Sequence, residues 1–105
     1  MTTSKKEQLL SMLKDEPNDS FLNYALALEY AKDQNIKKAI ELIENLLERD
    51  ENYLGAFYQL GKLHEQSSNT QKAIDTYTKG MVIAKKQNNR KALGELNEAL
   101  MMLEE

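Results

Sequence analysis

Side chains able to carry acid–base or metal chemistry are few in this chain, and they do not gather. His64 is the single histidine, and there is no cysteine. Imidazole titrates near neutrality, which makes histidine the usual proton shuttle or metal ligand. Zinc, however, wants three or four ligands of defined type, and no cysteine exists to partner His64. Its place in an apolar helical pattern points to packing. Carboxylates pair at Glu41/Glu44 and Glu95/Glu98, a spacing that puts both members on one solvated helix face. The sequence contains neither a glycine-rich phosphate loop nor a nucleophile elbow. No catalytic residue, metal ligand or cofactor is expected, and the chain reads as a non-enzyme.

Composition narrows the class further. The chain has 105 residues, one proline (Pro17) and four glycines, the length of one domain with a modest core. Leu, Ala, Glu, Lys and Gln are abundant and favour helices, whereas Val82 is the only valine. An all-α fold follows. The formal net charge of −3 comes from mixed signs along the whole chain, so attraction to nucleic acid or to an anionic membrane is not expected. The stretch Met1-Thr2-Thr3-Ser4-Lys5-Lys6 leads into a charged amphipathic segment rather than an apolar leader, and no apolar run reaches the length that crosses a bilayer. The expected setting is cytoplasmic.

Six helical segments would position whatever the chain uses. The first, about Ser4 to Lys14, has Leu9, Leu10, Met12 and Leu13 as its apolar side. Pro17 ends it, and Asn18, Asp19 and Ser20 offer caps for the next. The second, about Asp19 to Lys32, carries Phe21, Leu22, Tyr24, Ala25, Leu26, Leu28 and Tyr30 and needs cover on more than one side. Asp33-Gln34-Asn35 forms a short turn, with Asn suited to left-handed angles. The third, about Ile36 to Glu48, buries Ile36, Ala39, Ile40, Ile43, Leu46 and Leu47. The fourth runs from about Tyr53 to Gln66; Ser67-Ser68-Asn69-Thr70 repeats the earlier turn, and the fifth runs from about Gln71 to Lys86. Asn88-Asn89 breaks it and caps a sixth, about Arg90 to Leu103. There Ala92, Leu93, Leu96, Ala99, Leu100 and Leu103 share a face that covers the fifth helix, with Met101 and Met102 outside it.

Residues 20–53 and 54–87 say nearly the same thing. Six identities lie 34 residues apart: Tyr24/Tyr58, Leu26/Leu60, Asn35/Asn69, Lys38/Lys72, Ala39/Ala73 and Ile40/Ile74. A fixed period of this length marks a helical repeat. Loops this short between helices make them antiparallel neighbours, and each pair must lean on the next to bury its apolar side.

The pattern resembles the tetratricopeptide repeat. In one unit Phe57, Leu60-Gly61, His64, Ala73, Tyr77 and Gly80 fill the family's slots; in the other Leu26-Ala27, Tyr30, Ala39, Ile43 and Leu46 do so. Small residues there let helices approach, and aromatics fill the gaps beside them. Two departures stand out: Asn23 replaces a bulky residue and His64 an aromatic. The first helix resembles the second half of a preceding unit, with Leu9 and Met12 in the places of Ile43 and Leu46.

The resemblance implies a right-handed α-α superhelix of antiparallel hairpins in a single domain over 1–105. Its parts would be a helix at 4–14, repeats at 20–53 and 54–87, and a terminal cap at 90–103. It also implies a concave groove that takes a peptide or protein segment, lined by Tyr24, Leu28 and Lys32 in one unit and by Tyr58, Gln59, Lys62 and Gln66 in the next. The two tyrosines should stack one period apart, although packing between helices would also account for them. Places where some family members grip a C-terminal carboxylate hold Tyr24, Leu28, Gln59, Asn89 and Leu93, and only Gln59 imitates its counterpart. A clamp of that kind is not expected. The alternative reading is a structural subunit that associates weakly with another copy or subunit through its terminal helices, with Met101 and Met102 as the surface.

Overall fold

The computed structural model of the chain describes residues 4–104. Its helices are α1 (Lys5–Asp15), α2 (Ser20–Lys32), α3 (Ile36–Arg49), α4 (Leu54–Gln66), α5 (Thr70–Lys86) and α6 (Arg90–Leu103). No strand occurs among the described residues. The fold is an all-α helical repeat.

One turn recurs three times and shows how the sequence punctuates its helices. Gln34, Ser68 and Asn88 take left-handed angles, with φ of 65°, 59° and 56°. The amide after each bonds back into the finished helix: Asn35 N–H to the Tyr30 carbonyl, Asn69 to His64 and Asn89 to Ala84, at 2.9, 2.8 and 2.9 Å. That is a Schellman closure. The same asparagines then turn their side chains forward, and Oδ1 accepts from the N–H of Lys38, Lys72 and Ala92 at 3.3, 3.3 and 3.0 Å. Each asparagine thus ends one helix with its backbone and starts the next with its side chain. In the first two turns the left-handed residue is therefore not the asparagine, contrary to the sequence expectation. An asparagine is worth more as an N-cap, where its oxygen satisfies an orphan amide. Gln34 and Ser68 bear a Cβ penalty that glycine would not. Gln34→Gly and Ser68→Gly are each expected to raise stability by about 0.5–1 kcal/mol in urea titrations, the added unfolded-chain entropy offsetting part of the gain.

The chain falls into two compact units, divided between Glu51 and Asn52. In the first, α1 packs on α2 and α2 on α3. Leu9, Leu22 and Leu26 form a buried cluster, flanked by Leu13, Ala25, Tyr30 and Leu42. Lys6 holds α1 to the end of α2: its Nζ lies 2.9 Å from Asp33 Oδ2 and 4.8 Å from the centre of the Tyr30 ring. Ser20 Oγ donates to Asp50 Oδ2 at 2.7 Å, closing the α2–α3 hairpin at its open end.

Two expectations for this unit need correction. Leu10 and Met12 are not buried but 42% and 53% exposed, so Met12 does not match the fully covered Leu46. A single helix pressed on α2 buries only the stripe around Leu9 and Leu13. Phe21, counted in the apolar circumference of α2, is 64% exposed. Asn23 is buried, and its polarity is used: Nδ2 donates to the carbonyls of Pro17 and Asp19 at 3.0 and 2.8 Å. A bulky apolar side chain there would leave the Pro17 carbonyl without that bond, so the departure from the family pattern ties down the α1–α2 loop.

In the second unit α5 packs between α4 and α6, and α6 also touches α4. Glycines set the two crossings. A Cβ on Gly61 would run into the Tyr77 ring, with Cζ and Cδ1 only 2.5 and 2.6 Å away. A Cβ on Gly80 would sit 2.8 Å from Phe57 Cβ and 3.1 Å from Leu96 Cδ1, where all three helices meet. Ala73, Tyr77 and Ala84 face inward from α5 and are fully covered. Gln87 Nε2 donates to the Asn52 carbonyl at 2.8 Å and joins the end of α5 to the approach to α4.

Candidate functional site

The residues with chemical potential lie apart. His64 is buried in α4, in the aromatic slot of its repeat. Glu41 and Glu44 lie exposed on α3, Glu95 and Glu98 exposed on α6. Among the described residues no group of three or more His, Cys, Asp or Glu side chains could hold a metal ion. No helix among them is long and apolar enough to cross a membrane.

The expected groove residues of the second unit sit together on α4. Tyr58, Gln59 and Lys62 are half-buried and Gln66 is exposed. Lys62 Nζ stands 5.4 Å from the centre of the Tyr58 ring and 3.9 Å from Glu65 Oε2. The same Glu65 oxygen accepts a short hydrogen bond from the Tyr77 hydroxyl. The Tyr58 and Tyr77 rings are 6.3 Å apart and inclined at 47°. Tyr58 therefore packs inward on Tyr77 while keeping part of its ring open to solvent. In the first unit the expected residues lie on α2: Tyr24 and Leu28 are half-buried, and exposed Lys32 reaches Glu29 Oε2 at 3.4 Å.

Burial, then the bond and charge of Glu65, raise the Tyr77 hydroxyl well above the ordinary phenol range. Because the folded value exceeds the unfolded one, this stability is complete below the unfolded pKa of about 10 and is lost as pH rises beyond it. Above pH 10 the expected slope from this group approaches 1.4 kcal/mol per pH unit. Tyr77→Phe should lose about 1 kcal/mol at neutral pH yet show the shallower alkaline decline. Urea titrations across the alkaline range measure both effects.

A cleft of about 180 Å³ opens between α4 and α6, lined by Leu54, Gly55, Tyr58, Asn89, Ala92, Glu95 and Leu96. Of these, Tyr58 was expected to line the groove and Asn89 to occupy one of the carboxylate-gripping places without imitating its counterpart; Leu96 and Ala92 were expected on the stripe that covers α5. The signal that hid this is helix length. α3 has 14 residues and α5 has 17, so the 34-residue period does not carry into α6. α4 begins at Leu54 and α6 at Arg90, an offset of 36. On that offset Leu60 matches Leu96, and Tyr58 matches Gly94 rather than another aromatic. A Cβ on Gly94 would meet nothing within 4 Å. Met101 and Met102 are 57% and 65% exposed on α6.

No protein-family model and no curated protein matches the chain. Solved structures do. A tetratricopeptide repeat domain protein from Salinibacter ruber, solved in solution, is 43% identical over 84% of this chain and 89% of its own, with a TM-score of 0.80. A crystal structure of a tetratricopeptide repeat domain protein from the same organism is 43% identical over 82% of this chain and 97% of its own, with a TM-score of 0.78. The chain belongs to the tetratricopeptide repeat family. A Bordetella parapertussis protein shares the fold at 22% identity, with a TM-score of 0.85 over 97% of this chain and 89% of that one. As a tetratricopeptide repeat protein, the chain is a helical-repeat module of the protein-interaction class. The small and aromatic residues that define its repeats are the ones its crossings use: Gly61 against Tyr77, and Gly80 against Phe57.

Proposed function

We propose that this chain is a non-catalytic adaptor that binds a peptide or protein segment on the inner faces of its first helices. In the second unit that face is Tyr58, Gln59, Lys62 and Gln66; in the first it is Tyr24, Leu28 and Lys32. The observation that carries the reading is the cleft between α4 and α6, walled by Tyr58. A concave surface with apolar walls and a few polar groups is where ligands lodge. Tyrosine suits such a wall because it gives large contact area and a hydroxyl at low entropic cost. The proposed partner is a protein segment rather than nucleic acid or a membrane surface, in keeping with the mixed charges and net charge of −3, and the proposed setting is cytoplasmic.

The test is selection from a display library of short random peptides on the intact protein, followed by measurement of each selected peptide on a Tyr24→Ala/Tyr58→Ala variant. Selected peptides should bind the variant at least about tenfold more weakly, as expected when contact aromatics are truncated. Equal affinity for both proteins would overturn the reading.

A second reading, weak self-association through the terminal helices, is favoured by the exposure of Met101 and Met102. Methionine adapts to irregular partners. Sedimentation velocity should then depend on concentration and cease to do so in a Met101→Gln/Met102→Gln variant. A wild-type monomer at every concentration would remove this reading.

A further inference from the structure

The cleft between α4 and α6 has a chemistry of its own. Its floor is Leu96, 1% exposed, and its walls include Leu54, Ala92 and the Tyr58 ring. An apolar cavity of about 150 Å³ suffices for benzene, so the 180 Å³ here accommodates one Leu, Met or Phe side chain. Glu95 lines the same cleft, is exposed, and makes no ion pair or hydrogen bond among the described residues. Glu98, one turn further along α6, is likewise exposed and unpaired. The cations nearest in sequence, Arg90 and Lys91, make no ion pair with either carboxylate.

An apolar socket beside an uncommitted carboxylate selects by charge as well as by size. We propose that this cleft recognises a protein segment in which an apolar side chain stands next to a lysine or arginine. The apolar group fills the socket over Leu96, and the neighbouring cation meets Glu95. A segment with an acidic neighbour would bring like charges together and is rejected. The proposal rests on the groove reading above and names the chemistry of its ligand.

The experiment uses the intact protein and a display library of short random peptides, selected in parallel on wild type and on Glu95→Lys. Amide shifts of the labelled protein report where each selected peptide binds. Wild-type selections should be enriched in Lys or Arg beside Leu, Met or Phe, and Glu95→Lys selections should exchange that basic residue for an acidic one. Peptides from the wild-type pool should bind Glu95→Lys about fivefold more weakly, in the range of an exposed ion pair, and the difference should shrink in high salt. Ala92→Leu, whose side chain grows into the socket, should weaken the same peptides at least about tenfold while circular dichroism shows the fold intact. Peptides that perturb α4 and α6 amides but lack the basic residue, and bind wild type and Glu95→Lys alike, overturn this inference and leave the groove reading standing. A library that yields no peptide perturbing α4 or α6 overturns both.

Discussion

Gly61→Ala is expected to destabilise the protein by about 3 kcal/mol, at the upper end of the usual cost of overpacking. The added methyl group would overlap the Tyr77 ring across the α4–α5 crossing. That ring has no ready retreat. Tyr77 is fully buried, its hydroxyl is bonded to Glu65, and the Tyr58 ring lies 6.3 Å away. Either α4 and α5 separate, losing contacts along the crossing, or Tyr77 leaves a favoured rotamer. The same substitution at Gly94 should have the opposite sign. Nothing lies within 4 Å of its Cβ, so alanine there relieves only the helix penalty of glycine and should add about 0.5–1 kcal/mol. Urea titrations of the two variants give this contrast directly. A Gly61→Ala protein within 0.5 kcal/mol of wild type would mean the crossing is not as close as described.

Leu96→Ala carries the second large effect, about 3 kcal/mol. Leu96 is among the largest side chains fully covered in the chain, and its Cδ1 closes on the Gly80 backbone where α4, α5 and α6 meet. Removing it leaves a void that those helices cannot collapse into without disturbing Phe57. It also removes the floor of the cleft. Thermal melts should therefore show a large drop in Tm, whereas Met102→Ser, on the exposed side of the same helix, should stay within about 0.5 kcal/mol of wild type.

How much of this the sequence disclosed depended on whether its period held. From α2 to α5 the repeat was written twice, and its resemblance to the tetratricopeptide repeat then placed the small residues at Ala27, Gly61, Ala39 and Ala73 and the ring of Tyr77. Beyond α5 the period breaks. The three extra residues of α5 relative to α3, less the one by which the loop after it is shorter, move α6 to an offset of 36, so no 34-residue comparison brings Gly94 opposite Tyr58. The apolar stripe of α6 was legible as cover for α5, but its second use, walling a cleft against α4, depends on a crossing that periodicity does not encode. Glu95 looked like one more solvated carboxylate for the same reason. Local chemistry misled in a different way at Asn35 and Asn69. Tolerance of left-handed angles was a true property of asparagine, yet its capping oxygen was the property the fold used.

The claim that a protein segment binds the inner face of the repeat is tested most directly by amide chemical shifts of the labelled protein, titrated with a peptide selected from the random library. The expected result is that the largest shifts fall on Gly55, Tyr58 and Lys62 of α4 and on Ala92 and Glu95 of α6. Shifts confined to Thr78, Val82 and Lys85, on the exposed side of α5, would contradict it.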